Sequence, residues 1–242
     1  MISFRKGRYN VREAMSAEDI TAAQRLRARC FGTQSPLDAD PFDTHCSHIL
    51  IFEETAERLV CCFRMLPLDA AEISRSYSAQ YYELSALETF SGKAVEMGRF
   101  CVHPEVQDPD ILRIAWGAMT TYVDAHNVSL LFGCSSFAGT ETEAYLDAFA
   151  MLKARHLAPK RWLPRVKAPD VFRFAAKLRR KPDARKAMLR MPPLLRTYLM
   201  MGGWVSDHAV IDRKMNTLHV FTGVEINAIP PARKRLLRAL AH

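Results

Sequence analysis

The strongest constraint on what this 242-residue chain folds into is the order of its strand-like and helix-like stretches. Arg8 to Met15 alternates weakly and opens a sheet. Ser16 then reads as a helix N-cap, with Asp19 at the capping-box offset in place of the more usual Glu or Gln. The helix runs through Ile20, Ala23, Leu26 and Ala28 to about Phe31, where Gly32 stops it. Residues 32–47 are polar and contain prolines, hence a loop. His48–Phe52 and Leu59–Leu66 are apolar runs joined by Glu53-Glu54-Thr55-Ala56-Glu57-Arg58, the pattern of a hairpin. A short helix is expected near Leu84–Thr89 and a strand over Lys93–Val102, ended by His103-Pro104. A helix over Ile111–His126, a compact strand over Val128–Gly133 and a helix over Glu141–Ala154 follow. Trp204–Ile211 and Thr217–Phe221 are strand-like. No internal repeat is present. Strands feeding one sheet, with helices between them to cover it, predict an α/β fold built on a mixed sheet flanked by helices.

Composition closes off several classes. A chain with 49% hydrophobic and 25% charged residues has enough apolar surface for a core, so wholesale disorder is excluded. No apolar run reaches the length of a membrane span. The start, MISFRKGRYN, lacks the apolar core of a signal peptide, so a cytoplasmic location is expected. Cys30, Cys46, Cys61, Cys62, Cys101 and Cys134 form no C-x-x-C pair and read as reduced, mostly buried thiols. His45 and His48, with Cys46 between them, lack a second ligand pair at zinc-like spacing, so no metal is expected.

Charge is distributed unevenly. Residues 1–150 hold 13 Lys and Arg against 21 Asp and Glu, whereas residues 151–200 hold 15 against only Asp170 and Asp183. Val171, Phe172, Phe174, Ala175 and Leu178 fit one helical face, with Arg173, Lys177, Arg179 and Arg180 on the other. Met188, Leu189 and Met191 repeat the pattern after Pro182, and Leu194 to Met200 resume it after Pro192-Pro193. Ala232–Leu240 is a second basic amphipathic stretch. Such faces suit an anionic membrane surface, an acidic protein or nucleic acid. The expected organisation is a core over 1–155, a basic amphipathic helical segment over 156–201, and closing strands with a basic helix over 202–242.

Polar residues set into this order carry a resemblance. Arg27 and Phe31 lie on the first helix and Asp40 and Asp43 in the loop after it. Arg64 precedes Met65-Leu66-Pro67, and Glu96 and Arg99 form Glu-x-x-Arg on the later strand. Over about residues 8–135 this set resembles the acyl-homoserine lactone synthases, although Leu37 stands where they usually carry Trp. The chain resembles the ornithine N-acyltransferases of ornithine-lipid synthesis over more of its length. That similarity includes Asp40-Pro-Phe-Asp43-Thr-His-Cys46, Gly98-Arg99-Phe100-Cys101-Val102-His103-Pro104, Leu131 to Phe137 and Asp207 to Thr217. Ser206-Asp207-His208 replaces the Gly-Asp-Gly usual there, which leaves glutamine open as an alternative acceptor. Both families imply the Gcn5-related N-acyltransferase (GNAT) fold and an acyl group delivered on acyl carrier protein. The resemblance therefore implies transfer of a 3-hydroxyacyl group to the α-amine of L-ornithine, giving lyso-ornithine lipid. The expected partners are acyl carrier protein, L-ornithine and an anionic membrane surface, with the protein peripheral on the inner face of the membrane. No nucleic acid and no cofactor beyond the carrier's phosphopantetheine is expected.

Amide formation from a thioester needs a neutral amine, hence a base. Glu96, in an apolar strand at the centre of the matched motif, is the candidate; from spacing alone, an ordinary ion pair with Arg99 or Arg64 reads equally well. A backbone N–H near Met97 or Gly98 is the expected oxyanion donor. Tyr145 is the candidate to protonate the leaving thiolate, or else an ordinary half-buried aromatic. Arg27, Arg64 and Arg99 suit the acceptor carboxylate, while Asp40 and Asp43 suit a side-chain ammonium or a simple turn-capping role. Between the strand and the next helix, residues 103–110 hold no glycine and three acids, a poor cradle for the pyrophosphate of coenzyme A. Arg113, or Arg173, Lys177, Arg179 and Arg180, would instead meet an acidic carrier or a membrane.

Overall fold

The computed structural model describes residues 2–240. In chain order the elements are β1 (Ser3–Lys6), β2 (Tyr9–Glu13), α1 (Ala17–Phe31), β3 (Ser47–Glu53), β4 (Arg58–Asp69), β5 (Tyr82–Glu83), β6 (Lys93–Val102), α2 (Pro109–His126), β7 (Val128–Ala138), α3 (Leu146–Arg155), β8 (Arg165–Val166), β9 (Val171–Phe172), α4 (Phe174–Lys177), α5 (Ala184–Arg190), α6 (Pro193–Met200), β10 (Trp204–Val205), β11 (Ala209–Asp212), β12 (Thr217–Glu225) and α7 (Pro231–Arg238). The class is the expected one, α/β with a mixed sheet flanked by helices. The chain divides into two compact units, each assembled from separated stretches.

The first unit comprises residues 2–67, 95–128 and 231–240. Its strands run in the order β1-β2-β3-β4-β6, with β1 to β4 antiparallel in succession. Ser16 Oγ accepts from Asp19 N–H at 3.2 Å, and Gly32 closes α1 in the left-handed conformation at φ 63°. Asp19 reaches back one residue beyond the cap, accepting from Met15 N–H at 2.9 Å and forking onto Arg12 at 2.5 and 2.6 Å. Ala23 and Leu26 of α1 pack on Leu50, Cys62 and Cys101 of the sheet. The thiols here are reduced: Cys62 and Cys101 lie Sγ to Sγ at 3.5 Å, and Cys30 donates to the Val102 carbonyl. α7 packs on α2 through Arg238, whose guanidinium donates to Asp124 at 2.8 and 3.0 Å.

The second unit comprises residues 68–94 and 129–230. Its main sheet has the order β7-β12-β11-β9, with β10 also paired to β12, and Leu157 forms a parallel bridge to Val205. Tyr82, Phe132, Trp204 and Phe221 centre one apolar cluster; Phe137, Phe149, Phe174, Leu195 and Val220 centre another. A Cβ on Gly223 would lie 2.5 Å from the Trp204 ring, which is why the smallest residue stands there.

Three expected elements differ. Val171 and Phe172 are not helical; they form β9 against Ala209 and Val210, and α4 spans only Phe174–Lys177. The cause is tertiary: the apolar pair gains a strand partner, and the Ala175 N–H donates to the Asp207 carbonyl rather than into a longer helix. The expected helix over Leu84–Thr89 is a single 3-10 turn, Ser85–Leu87. Trp204–Ile211 is two strands, because Ser206 turns inward, donating to the His208 carbonyl and accepting from Phe221 N–H. β1 was not anticipated. Among the described residues no helix is long and apolar enough to cross a membrane.

Candidate active site

The site grows from one unusual placement. Arg27 lies on the inner face of α1 with 1% of its surface exposed, and an unpaired guanidinium there would cost several kcal/mol. The loop after α1 supplies the counter-charges. Arg27 Nε donates to Asp38 at 2.9 Å, and Nη1 and Nη2 fork onto the two oxygens of Asp43 at 2.8 Å each. A further bond runs from Nη2 to the Asp38 carbonyl. The loop is pinned to α1 by Asp38 N–H on the Gln24 carbonyl at 3.1 Å, and turns at Pro41-Phe42, where Asp40 accepts from Phe42 N–H at 2.9 Å.

β4 and β6 bring the other two cations. Arg64 donates through Nη1 to Asp40 and Asp43 at 2.6 Å each and through Nη2 to Asp40 at 2.8 Å, with its plane over the Phe42 ring. Arg99 pairs with Asp38 at 2.9 Å and Asp40 at 3.0 Å. Three guanidinium groups thus interlock with three carboxylates, the charge-assisted and forked geometry in which Arg–carboxylate pairs are strongest. Arg99 sits at φ 53°, a left-handed backbone that non-glycine residues rarely adopt, within a strand. Gly98 lies beside Arg64, since a Cβ there would meet Arg64 Nε at 3.7 Å.

The network sets its own protonation. Burial pushes the Asp43 carboxyl up, but the bonds from Arg27, Gln24 and Arg64 outweigh burial and hold it well below the usual carboxylate range. Asp40 follows the same pattern under Arg64 and Arg99. Burial lowers His48, whose neutral ring donates from Nε2 to the Asp43 carbonyl at 2.9 Å. A carboxyl depressed in the folded state stabilises the protein at all pH above its unfolded value, about 3.9, and that stabilisation is lost as pH falls through the folded value. The stability advantage of the native protein over Asp43→Asn is therefore expected to be constant above about pH 5 and to shrink steadily at lower pH. Urea midpoints measured across that range give the result; an advantage that does not vary with pH would contradict it.

Glu96, on β6, has 4% of its surface exposed. It belongs to the same neighbourhood: burial pushes the half-buried Cys46 thiol up to about 12, opposed by Arg64 and reinforced by the charges of Glu96, Asp43 and Asp40. Glu96, Gly98, Arg27, Arg64, Arg99, Asp40 and Asp43 therefore all belong to the first unit, and the three arginines and two loop acids are joined directly. Phe31, half-buried, packs in the α1 cluster next to them in sequence. Tyr145 belongs to the second unit, where its hydroxyl donates to the Ala138 carbonyl at 2.6 Å and its ring packs on Phe137. Arg173 and Arg179 are exposed in that unit, Lys177 caps the Phe172 ring, and Arg180 is paired with Asp147 at 2.7 Å. Sequence reasoning missed Asp38, Gln24, His48 and Cys46. Charge balance held the signal for Asp38, since three inward arginines demand a third acid.

Residues 23–117 match the family model described as an acetyltransferase (GNAT) domain. The fold is also that of FeeM, an N-acyl amino acid synthase from uncultured soil microbes, with a TM-score of 0.53 at 11% identity over 92% of this chain and 94% of that one. The family match and the fold together mark an acyltransferase of the GNAT class. The L-ornithine N(alpha)-acyltransferase of Rhodobacter capsulatus is 35% identical over 238 residues, covering 91% of each chain. The enzyme of that name from Brucella abortus is 30% identical over 249 residues, covering 93% of this chain and 87% of its own. The chain belongs to the L-ornithine N(alpha)-acyltransferase family.

Proposed function

We propose that the enzyme transfers a 3-hydroxyacyl group from acyl carrier protein to the α-amine of L-ornithine, giving lyso-ornithine lipid. The observation that carries this reading is the buried Glu96 on the strand that also brings Arg99 to the interlocked arginines and aspartates, in a chain whose relatives acylate ornithine. Glu96 takes a proton from the acceptor ammonium, directly or through water. The freed amine attacks the thioester carbonyl, forming the C–N bond, and the oxyanion is held by backbone N–H near Met97 and Gly98. Collapse breaks the C–S bond. Of the two protons the amine gives up, one ends on the carrier thiol and one in solvent.

The network divides by burial. Arg27 and Asp43 are the more enclosed and hold the frame, whereas Asp40 and Arg99 keep more exposed edges and meet the acceptor. The donor assignment is supported at the start of α2. There the Asp108 carboxylate already accepts the Asp110 N–H at 2.9 Å, and Arg8 and Tyr9 bind the same carboxylate. A helix N-terminus filled by its own acid is poorly suited to a pyrophosphate. Such an enzyme works in the cytoplasm against the inner face of the membrane, where its amphiphilic product belongs.

The test is direct. Purified protein incubated with 3-hydroxyacyl carrier protein and L-ornithine is expected to yield N-acylornithine, detected by mass spectrometry. Acyl-glutamine in competition with ornithine would reassign the acceptor, and a lactone formed with S-adenosylmethionine would reassign the enzyme.

A further inference from the structure

The most exposed apolar side chain of the basic region sits on α5. Of its seven residues only Ala187 is buried, and that residue seats the helix in the cluster around Phe149 and Phe174. Leu189 is 80% exposed and Met188 41% exposed, which places a leucine in water on a helix that has no need of it for packing. The same turn carries Arg185, Lys186 and Arg190, all exposed, and Lys181 lies just before it. Among the described residues Arg185 and Arg190 have no carboxylate in ion-pair reach, so their charge is not spent inside the protein.

α5 is held in this posture. Asp183 caps it, accepting from Lys186 N–H at 3.1 Å. Asp147 of α3 accepts from the Asp183 N–H at 3.0 Å and from Arg180 at 2.7 Å, fixing the approach to the helix. Of the cations first marked by sequence, Arg180 is bound to Asp147 and Lys177 lies over Phe172, whereas Arg173 and Arg179 are exposed but have no exposed leucine or methionine beside them in sequence.

We propose that α5 is a membrane-docking element, in which Met188 and Leu189 enter the acyl boundary of an anionic lipid surface while Arg185, Lys186 and Arg190 meet its phosphates. An acidic carrier protein offers counter-charge to the cations but no hydrocarbon layer for the two apolar side chains. The apolar pair among them fits a surface that offers hydrocarbon beneath negative charge. Two apolar side chains and a few cations give reversible partition, suited to an enzyme whose substrates are water-borne and whose product is a lipid. This last point rests on the proposed ornithine reading; the surface chemistry does not.

The test is co-sedimentation of the full chain with vesicles of phosphatidylcholine, with and without phosphatidylglycerol. Preferential binding to the anionic vesicles, weakened by salt, is expected. Neutralising Arg185, Lys186 and Arg190 together to Gln is expected to lower partition on the order of 100-fold, at about fivefold per cation. Met188→Ser with Leu189→Ser is expected to lower it roughly tenfold. Circular dichroism and turnover with a water-soluble acyl donor should stay at wild-type values in both variants. Equal partition of wild type and variants, or indifference to phosphatidylglycerol, overturns the proposal. So does a rise in KM for carrier protein with vesicle binding unchanged, which would make α5 a carrier-docking surface. Vesicle binding as expected without any acylation of ornithine supports the docking element and refutes the acceptor assignment alone.

Discussion

Replacing Glu96 by Gln is expected to lower kcat by about 10²- to 10⁴-fold, the range for loss of a general base. The substitution keeps the shape and removes the proton acceptor, so the far-ultraviolet spectrum and the affinity for ornithine should change little. What remains should depend on amine that is already neutral in solution. Residual kcat in Glu96→Gln is therefore expected to climb with pH beyond the point where the native rate levels off. That slope separates a base from a merely structural carboxylate, because a packing defect would lower the rate equally at every pH. Native kcat in this variant, with a native pH profile, would remove Glu96 from the chemistry.

The second large effect concerns stability. Arg64→Met removes the cation that bridges Asp40 and Asp43, leaving the buried Asp43 and the half-buried Asp40 with fewer partners. Breaking one side of such a network costs about 3–5 kcal/mol. For a chain of this size that is a fall in Tm on the order of 10 °C. Arg64→Lys should recover part of it, since an ammonium restores charge but lacks the planar pair of N–H donors that forks onto Asp40. Scanning calorimetry on the pair of variants checks both statements. An unchanged Tm in Arg64→Met would mean that the ions are held by solvent rather than by one another.

Local rules made much of this legible. Ser16 and Gly32 bracket α1 because a hydroxyl cap and a left-handed glycine are chemical requirements that do not wait on the rest of the chain. The β3–β4 hairpin is written in two apolar runs around a charged turn. β1 could not be read, because Ser3–Lys6 is a four-residue edge strand with a single apolar residue, Phe4, and so leaves no apolar alternation. The basic segment misled for a different reason. Its apolar residues have helical spacing, yet Val171 and Phe172 satisfy their backbone against β11, a partner almost forty residues away along the chain. The site divides in the same way. The arginines and Asp40 and Asp43 were visible as motif positions, but nothing local says that they bind one another. Asp38 and His48 acquire meaning only when the loop folds back under α1.

Both units draw on chain segments that lie far apart: the first needs residues from the start, the middle and the C-terminal helix, and the second brackets a piece of the first. During synthesis α2 leaves the ribosome more than a hundred residues before Arg238, the partner of its Asp124. No one cut in the polypeptide can release either half intact. Proteolytic fragments, two-piece reconstitution and terminal deletions should accordingly give aggregation in place of a working half, and refolding should be slow, governed by long loop closures.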